Sequence, residues 1–247
     1  MKFIGIIPAR YQSSRFPGKP LAMIHNKPMI QWVYENAMKA LDQVCVATDD
    51  NRIMDVVNSF GGKVIRTLAS HQSGTDRCAE AARILDSEMD FDVVINIQGD
   101  EPFIKPEQIE LLKSCFEDPD VQIATLVKRI LSNEEIFNQN RPKVVLDKNK
   151  NALYFSRSPI PFIRGAETSE WIGKREFWAH IGMYAFKAEV LQQLTRLQQG
   201  RLELAESLEQ LRWLENGYKI RVAETKTQSI GIDTPEDLEE ALKHFRS

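Results

Sequence analysis

The chain has 247 residues, 43% of them hydrophobic and 27% charged, the make-up of a folded globular protein rather than a disordered one. A formal net charge of −3 gives no general attraction to nucleic acid or to an anionic membrane surface. No apolar stretch has the length of a membrane-crossing helix. MKFIGIIPAR has one lysine and a short apolar run ending at Pro8, without the longer run and cleavage site of a secretory signal. Cys45, Cys78 and Cys115 are scattered, at neither zinc nor disulfide-framework spacing. The expectation is a cytoplasmic protein with no nucleic-acid or membrane partner.

FIGIIP (residues 3–8) is a continuous apolar run, the pattern of a strand buried on both faces. A polar loop follows to about Lys27. Pro28 suits the first position of a helix, where no donor is needed, and Ile30, Val33, Tyr34, Ala37, Met38 and Leu41 recur at helical spacing. QVCVAT (43–48) is a second strand. Asp49 or Asp50 can cap the next helix, which stops at Gly61-Gly62. KVIR (63–66) is a third strand, a helix runs from about Thr75 to Leu85, and DVVINI (92–97) is a fourth strand. Pro106 opens another helix. This alternation predicts a mostly parallel, Rossmann-like sheet covered by helices.

After residue 120 the rhythm changes. Residues 121–130, 143–147 and 151–156 read as strands with short connections, one of them the turn DKNKN. A mixed-strand subregion over about 121–187, serving an acceptor or a dimer contact, is expected within one domain spanning 1–247. A helix over 202–215, a strand over 218–224 and a helix over 234–245, started by Thr234-Pro235-Glu236, complete the chain.

Parallel sheets bind ligands at the carboxyl ends of their strands, and the loops there carry the chemistry-bearing residues. PARYQSSRFPGKP (8–20) holds Arg10, Arg15 and Lys19 with Ser13 and Ser14, a set of cations and hydroxyls suited to a triphosphate. It is neither a Walker loop nor a GxGxxG turn, and a solvated basic loop is the bland alternative. NIQGDEP (96–102) places Asp100 just after a buried strand, where a carboxylate can hold Mg²⁺. Gly-Asp and Glu-Pro also favour ordinary turns. Asp233 in GIDTPEDL (231–238) is either a helix cap or a second metal carboxylate. Arg77, Arg157 and His180 are further candidates, since an arginine fork matches a carboxylate; each alone is more often structural. His25, His71 and His244 fall at no metal-ligand spacing.

Taken in order, IIPARYQSSRFPGKPL, VATDD, GGKV, HQSGTDR, INIQGDEPFI, KVVLD, ALYFSRSPIPF, HIGMYAF, LEQLR and GIDTPEDL closely resemble the CMP-Kdo synthetases, the 3-deoxy-manno-octulosonate cytidylyltransferases. The blocks run through nearly the whole chain. The resemblance implies a GT-A-like nucleotidyltransferase fold, dependence on Mg²⁺, a homodimer, and the reaction CTP + Kdo → CMP-Kdo + pyrophosphate, which serves lipopolysaccharide biosynthesis. It implies that Arg10, Ser13 and Lys19, with Ala9 beside them, contact the triphosphate. Ser73, Gly74, Thr75 and Gln98 then lie near the cytidine. Asp100 and Asp233 are the implied metal carboxylates, and with Lys19 the catalytic set. Arg77, Arg157, His180, Tyr184, Glu206 and Gln210 are the implied contacts of the acidic eight-carbon sugar. Residues 165–174 match no block and are expected to form a variable surface loop. The competing readings are a cytidylyltransferase for 8-amino-Kdo or sialic acid, and a nucleotide-binding protein without catalysis; retention of Lys19, Asp100 and Asp233 argues against the latter.

Overall fold

A computed structural model describes residues 1–13, 15–227 and 231–244 of the protein. In chain order its strands are β1 (Phe3–Ala9), β2 (Met23–Ile24), β3 (Lys27–Pro28), β4 (Val44–Thr48), β5 (Val64–Arg66), β6 (Val93–Asn96), β7 (Ile123–Arg129), β8 (Lys143–Leu146), β9 (Ala152–Ser156), β10 (Trp178–Lys187) and β11 (Ile220–Glu224). Its helices are α1 (Met29–Ala37), α2 (Asn51–Ser59), α3 (Gly74–Leu85), α4 (Pro106–Cys115), α5 (Asn133–Phe137), α6 (Trp171–Lys174), α7 (Ala188–Leu194), α8 (Arg201–Glu206), α9 (Gln210–Glu215) and α10 (Pro235–His244). None of the described helices is long and apolar enough to cross a membrane.

The chain divides into two compact units. The first holds the described residues of 1–110, 185–195 and 229–247, the second those of 111–184 and 196–228. In the first unit β5, β4, β1 and β6 lie side by side in that order, all parallel, with Gly5 of β1 between Val44 and Ile95. These strands bury every residue of VCVAT and VVIN, so the continuous apolar runs have their physical cause in a sheet covered on both sides. Ile30 and Val33 of α1, Ile53 and Val57 of α2, and Leu85 of α3 are buried against it. Asp50 caps α2 by accepting from Arg52 N at 2.9 Å, and Gly61, at φ 76°, takes the left-handed turn that ends it.

In the second unit β11 runs parallel to β7, and β8 forms antiparallel pairs with both β10 and β9. The β8–β9 turn is tied by Asp147, which accepts from the backbone N–H groups of Asn149 and Asn151 at 2.8 and 2.7 Å. The mostly parallel sheet and the mixed-strand region thus both appear in the α/β fold.

Three local expectations are corrected. The polar stretch after β1 is not all loop: it contains a 3₁₀ turn (Lys19–Leu21) and the β2–β3 hairpin, and Pro28 is the extended N-cap of α1 rather than its first helical residue. The helix expected over 202–215 is broken, because Ser207 takes the left-handed conformation (φ 52°, ψ 49°) and separates α8 from α9. Residues 165–174 are not merely surface: α6 buries Trp171, whose ring stacks on Phe177 at 5.8 Å within a cluster that includes Ile130 and Ile136.

Candidate active site

Because β1, β4, β5 and β6 are parallel, their carboxyl ends and the loops that follow share one edge of the first unit. The loop after β1 closes on itself through Gly18 N–H and the Tyr11 carbonyl, 2.8 Å apart. Gly18 stands at φ 73°, and a Cβ there would meet the Tyr11 ring at 3.2 Å, so glycine alone makes this turn without strain. Lys19 follows directly. The turn after β6 is pressed equally hard: a Cβ on Gly99 would lie 2.9 Å from the Pro8 carbonyl oxygen. The missing side chain lets Asp100 come down onto the end of β1. The Asp100 carbonyl accepts from Ile232 N–H at 2.9 Å, which draws the segment carrying Asp233 alongside.

The structure brings Lys19, Asp100 and Asp233 together. Lys19 Nζ is 2.6 Å from Asp100 Oδ2 and 3.2 Å from Asp233 Oδ1, and Arg15 Nη2 is 3.1 Å from Asp233 Oδ2. Lys19 is largely enclosed, its side chain 12% exposed, while Asp100 is 32% and Asp233 48% exposed. Two carboxylates therefore converge on one cationic point that remains open to solvent on the acid side. The capping role open to Asp233 is taken by its neighbours. Thr234 Oγ1 accepts from Asp237 N–H at 3.2 Å, and Asp237 Oδ2 accepts from the Asp233 and Thr234 N–H groups at 2.9 Å each. Thr234 and Asp237 cap α10 as a reciprocal pair, and the Asp233 carboxylate is left for the cations. These backbone donors hold the Asp237 carboxyl below the usual carboxylate range.

The other nucleotide candidates are distributed around the same unit. Ala9 is buried at the end of β1. Arg10 Nη2 donates to the His71 carbonyl. Ser13 Oγ accepts a turn N–H from Phe16 at 3.4 Å, and Ser14 lies outside the described residues. Ser73 is the N-cap of α3 in a capping box with Asp76, Gly74 opens the helix, and Thr75 is buried in its first turn. Gln98 Nε2 stands 3.5 Å from Asn96 Oδ1.

Arg77 does not lie open to a ligand. It is 0% exposed, Nη1 donates to Thr67 Oγ1 at 2.6 Å, and Nη2 is 2.9 Å from Asp49 Oδ1. Burial lowers its pKa despite the facing Asp49. The fork expected to grip a carboxylate is instead enclosed between α3 and the ends of β4 and β5, with one hydrogen bond to Thr67 and with Nε and Nη2 buried without a hydrogen-bond partner among the described residues.

The remaining sugar candidates belong to the second unit. Arg157 N–H donates to Glu206 Oε2 at 2.9 Å and Ser156 Oγ to Glu206 Oε1 at 2.6 Å. The Arg157 guanidinium donates to three backbone carbonyls, those of Glu206 (2.7 Å), Gln139 (3.0 Å) and Ser207 (3.2 Å). Two of these carbonyls are exposed by the break at Ser207, so the broken helix and the arginine explain each other. Three of the five N–H groups of the fork are thereby committed. Lys143, which sequence reasoning missed, is fully buried beneath this pair and donates to the carbonyls of Asn138 at 2.9 Å and Arg157 at 2.6 Å. Its only signal was a charge opening the apolar run KVVL.

His180 Nε2 is 3.0 Å from Thr125 Oγ1. The threonine proton is directed to the Met183 carbonyl at 2.9 Å, so the hydroxyl accepts, and the imidazole carries its hydrogen on Nε2. The ring also meets Phe155 edge-on, with centroids 5.1 Å apart, and Tyr184 at 5.3 Å. Burial pushes His180 down to about 3 and raises the Tyr184 phenol. Gln210 is buried, and its Nε2 has no hydrogen-bond partner among the described residues.

Comparison with known proteins gives this arrangement its context. The cytidylyltransferase family model matches residues 4–220. The 3-deoxy-manno-octulosonate cytidylyltransferase of Parabacteroides distasonis is 60% identical over 246 residues, covering 98% of this chain and 97% of that protein. The protein of the same name from Bacteroides thetaiotaomicron is 59% identical over 250 residues, covering 100% and 99%. Among solved structures, CMP:2-keto-3-deoxy-manno-octonic acid synthetase complexed with CTP superposes with a TM-score of 0.90 at 43% identity, over 99% of this chain and 98% of that one. The 4-diphosphocytidyl-2C-methyl-D-erythritol synthase of Anaerococcus prevotii, at a TM-score of 0.60 and 14% identity over 98% of both chains, shares the fold. With a family model spanning most of its length and full-length relatives at this identity, the chain belongs to the cytidylyltransferase family, among the 3-deoxy-manno-octulosonate cytidylyltransferases, or CMP-Kdo synthetases.

Proposed function

We propose that the protein transfers the cytidylyl group of CTP to 3-deoxy-manno-octulosonate, releasing pyrophosphate and forming CMP-Kdo for lipopolysaccharide assembly. The observation that carries this reading is the convergence of Asp100 and Asp233 on Lys19 at the strand ends of the first unit. In the proposed reaction the anomeric hydroxyl of the sugar attacks the α-phosphorus. The bond from that phosphorus to the oxygen bridging to the β-phosphate breaks, and the hydroxyl proton passes to solvent. Negative charge grows on the phosphate oxygens, so positioning and neutralisation do most of the work. Lys19, Arg10 and Arg15 supply positive charge from one loop, and no side chain is assigned as general base.

Two carboxylates are hard oxygen donors of the kind that suit Mg²⁺, which is commonly held by one or two carboxylates together with phosphate oxygens. Asp100 and Asp233 would hold Mg²⁺, whose charge, when bound, stabilises phosphate oxygens and acidifies a hydroxyl.

For the sugar, the orphaned Nε2 of Gln210 is a buried donor that a hydroxyl would satisfy. His180, Tyr184 and Glu206 belong to the same unit, and Arg157 retains two N–H groups for the carboxylate. A homodimer through this unit is supported by the exposed apolar side chains of Leu131, Leu153 and Phe162; such a contact would be isologous, and a monomer mass by light scattering would remove it. The three free, buried cysteines suit a reducing compartment such as the cytoplasm. A pyrophosphate-release assay with CTP and Mg²⁺ tests the whole reading, with Kdo, 8-amino-Kdo and sialic acid as acceptors. Highest kcat/KM with Kdo is expected; a higher value with either other sugar changes the substrate, and no release with any removes the catalytic reading.

A further inference from the structure

The loop between β5 and α3 is pinned at both ends. Thr67 N–H donates to the Thr48 carbonyl at 2.9 Å, and Ser73 closes the capping box of α3. Between these points a single carboxylate grips the loop. Glu80, one turn beyond Arg77 on α3, accepts on Oε2 both the Leu68 N–H at 2.8 Å and His71 Nε2 at 2.5 Å. An ionised glutamate only accepts, so the imidazole donates. Both side chains are mostly enclosed, His71 17% and Glu80 14% exposed. Burial alone would raise the Glu80 carboxyl, but His71, the Leu68 N–H and Arg83 outweigh it and hold it below its usual range. The His71 carbonyl, fixed by this grip, is the acceptor for Arg10 Nη2. Among the described residues that is the one hydrogen bond the Arg10 guanidinium makes, and its other donors are left for a ligand.

We infer that Glu80 and His71 are positioning residues for the nucleotide. Their bond freezes the Leu68–His71 loop, and the His71 carbonyl sets the Arg10 fork toward the phosphates before CTP arrives. This rests on the proposed role of Arg10 in holding the triphosphate. The physical benefit is preorganisation. A free arginine has many rotamers, and ordering it at the moment of binding weakens affinity. A carbonyl that takes one of its five N–H groups in advance removes much of that cost.

The test is a double-mutant cycle on the full chain, reading the KM values for CTP and for the sugar together with a thermal unfolding scan. Glu80→Ala is expected to raise the CTP KM about tenfold, the scale of one charged side chain left to be ordered on binding, with the sugar KM unchanged. Glu80→Gln retains an oxygen acceptor and should recover most of the loss. In an Arg10→Ala background Glu80→Ala should add nothing further. An equal effect of Glu80→Ala in both backgrounds overturns the inference, as does an equal rise in both KM values. Should Glu80→Ala unfold, His71→Asn breaks only the imidazole contact and is put through the same cycle. An unchanged CTP KM in Arg10→Ala alone shows instead that the nucleotide role of Arg10 is wrong, and the latch falls with it.

Discussion

The convergence on Lys19 makes a prediction in which stability and activity part company. Asp100→Asn and Asp233→Asn each remove one charge while keeping an oxygen that can accept a hydrogen bond. In the fold the two acids are not equivalent. The Lys19–Asp100 bond is 2.6 Å long and its lysine is enclosed, so a charge-assisted hydrogen bond of about 1.5–3 kcal/mol is the starting value. Asp100 is nearly one-third exposed, and solvent screening brings the expected loss to about 1–2 kcal/mol. The Lys19–Asp233 contact is longer, at 3.2 Å, and its acid is 48% exposed, which places it with surface pairs worth at most about 1 kcal/mol. Urea unfolding in a chelating buffer should therefore rank Asp100→Asn as the costlier change, by a shift in midpoint at constant slope. Turnover should show no such ranking. Each variant loses a carboxylate of the proposed metal pair, and a loss of several kcal/mol of transition-state stabilisation corresponds to about a thousandfold or more in kcat. Equal destabilisation by the two would refute the exposure argument. Near-normal turnover of either at saturating Mg²⁺ would remove that acid from the machinery.

Further outcomes follow from the same geometry. Gly99→Ala places a Cβ 2.9 Å from the Pro8 carbonyl, so the turn must move; kcat should fall by about a hundredfold, as for a misplacement near 1 Å, and unchanged kcat would show that the turn is free to shift. Arg157→Lys keeps the charge but loses the fork that holds the Glu206, Gln139 and Ser207 carbonyls. It should lower stability by about 1–3 kcal/mol and raise the sugar KM more than the CTP KM; an effect on CTP alone would contradict this. His180 gives a pH dependence. Its folded pKa is pushed down to about 3 from the ordinary 6.5, so between those values the unfolded chain binds the extra proton. Stability is full above about pH 6.5 and falls as the pH drops toward 3, by at most about 1.4 kcal/mol per pH unit. Unfolding curves at pH 7 and 5.5 should show about 1 kcal/mol less acid loss in His180→Gln than in the parent, and identical slopes would place the histidine in contact with solvent.

The parts that were legible in the sequence share a physical reason. β1, β4 and β6 are buried on both faces, so each appears as an unbroken apolar run, and the residues just beyond them, Lys19 after β1 and Asp100 after β6, inherit their place from the parallel order of the strands. The start of α10 at Thr234-Pro235-Glu236 was legible too, but the reciprocal partner Asp237 was not read, and Asp233 loses its capping role only because Thr234 and Asp237 satisfy each other in the fold. The unread parts depend on where hydrogen-bond donors are spent. The apolar positions of 202–215 keep helical spacing across Ser207, and a left-handed serine leaves no mark in that pattern; only the carbonyls it frees, and the Arg157 fork that takes them, show why the chain breaks there. Arg77 and Arg157 were both read as forks for a ligand because arginine has the right shape for a carboxylate. In the fold Arg77 is enclosed against Asp49 and Thr67, and Arg157 gives three N–H groups to its own backbone. Residue type states what a side chain could bind, whereas burial and existing partners determine what remains available. By that measure Arg10, with one bond to a loop carbonyl, is better placed to meet a phosphate than Arg77 is to meet a sugar.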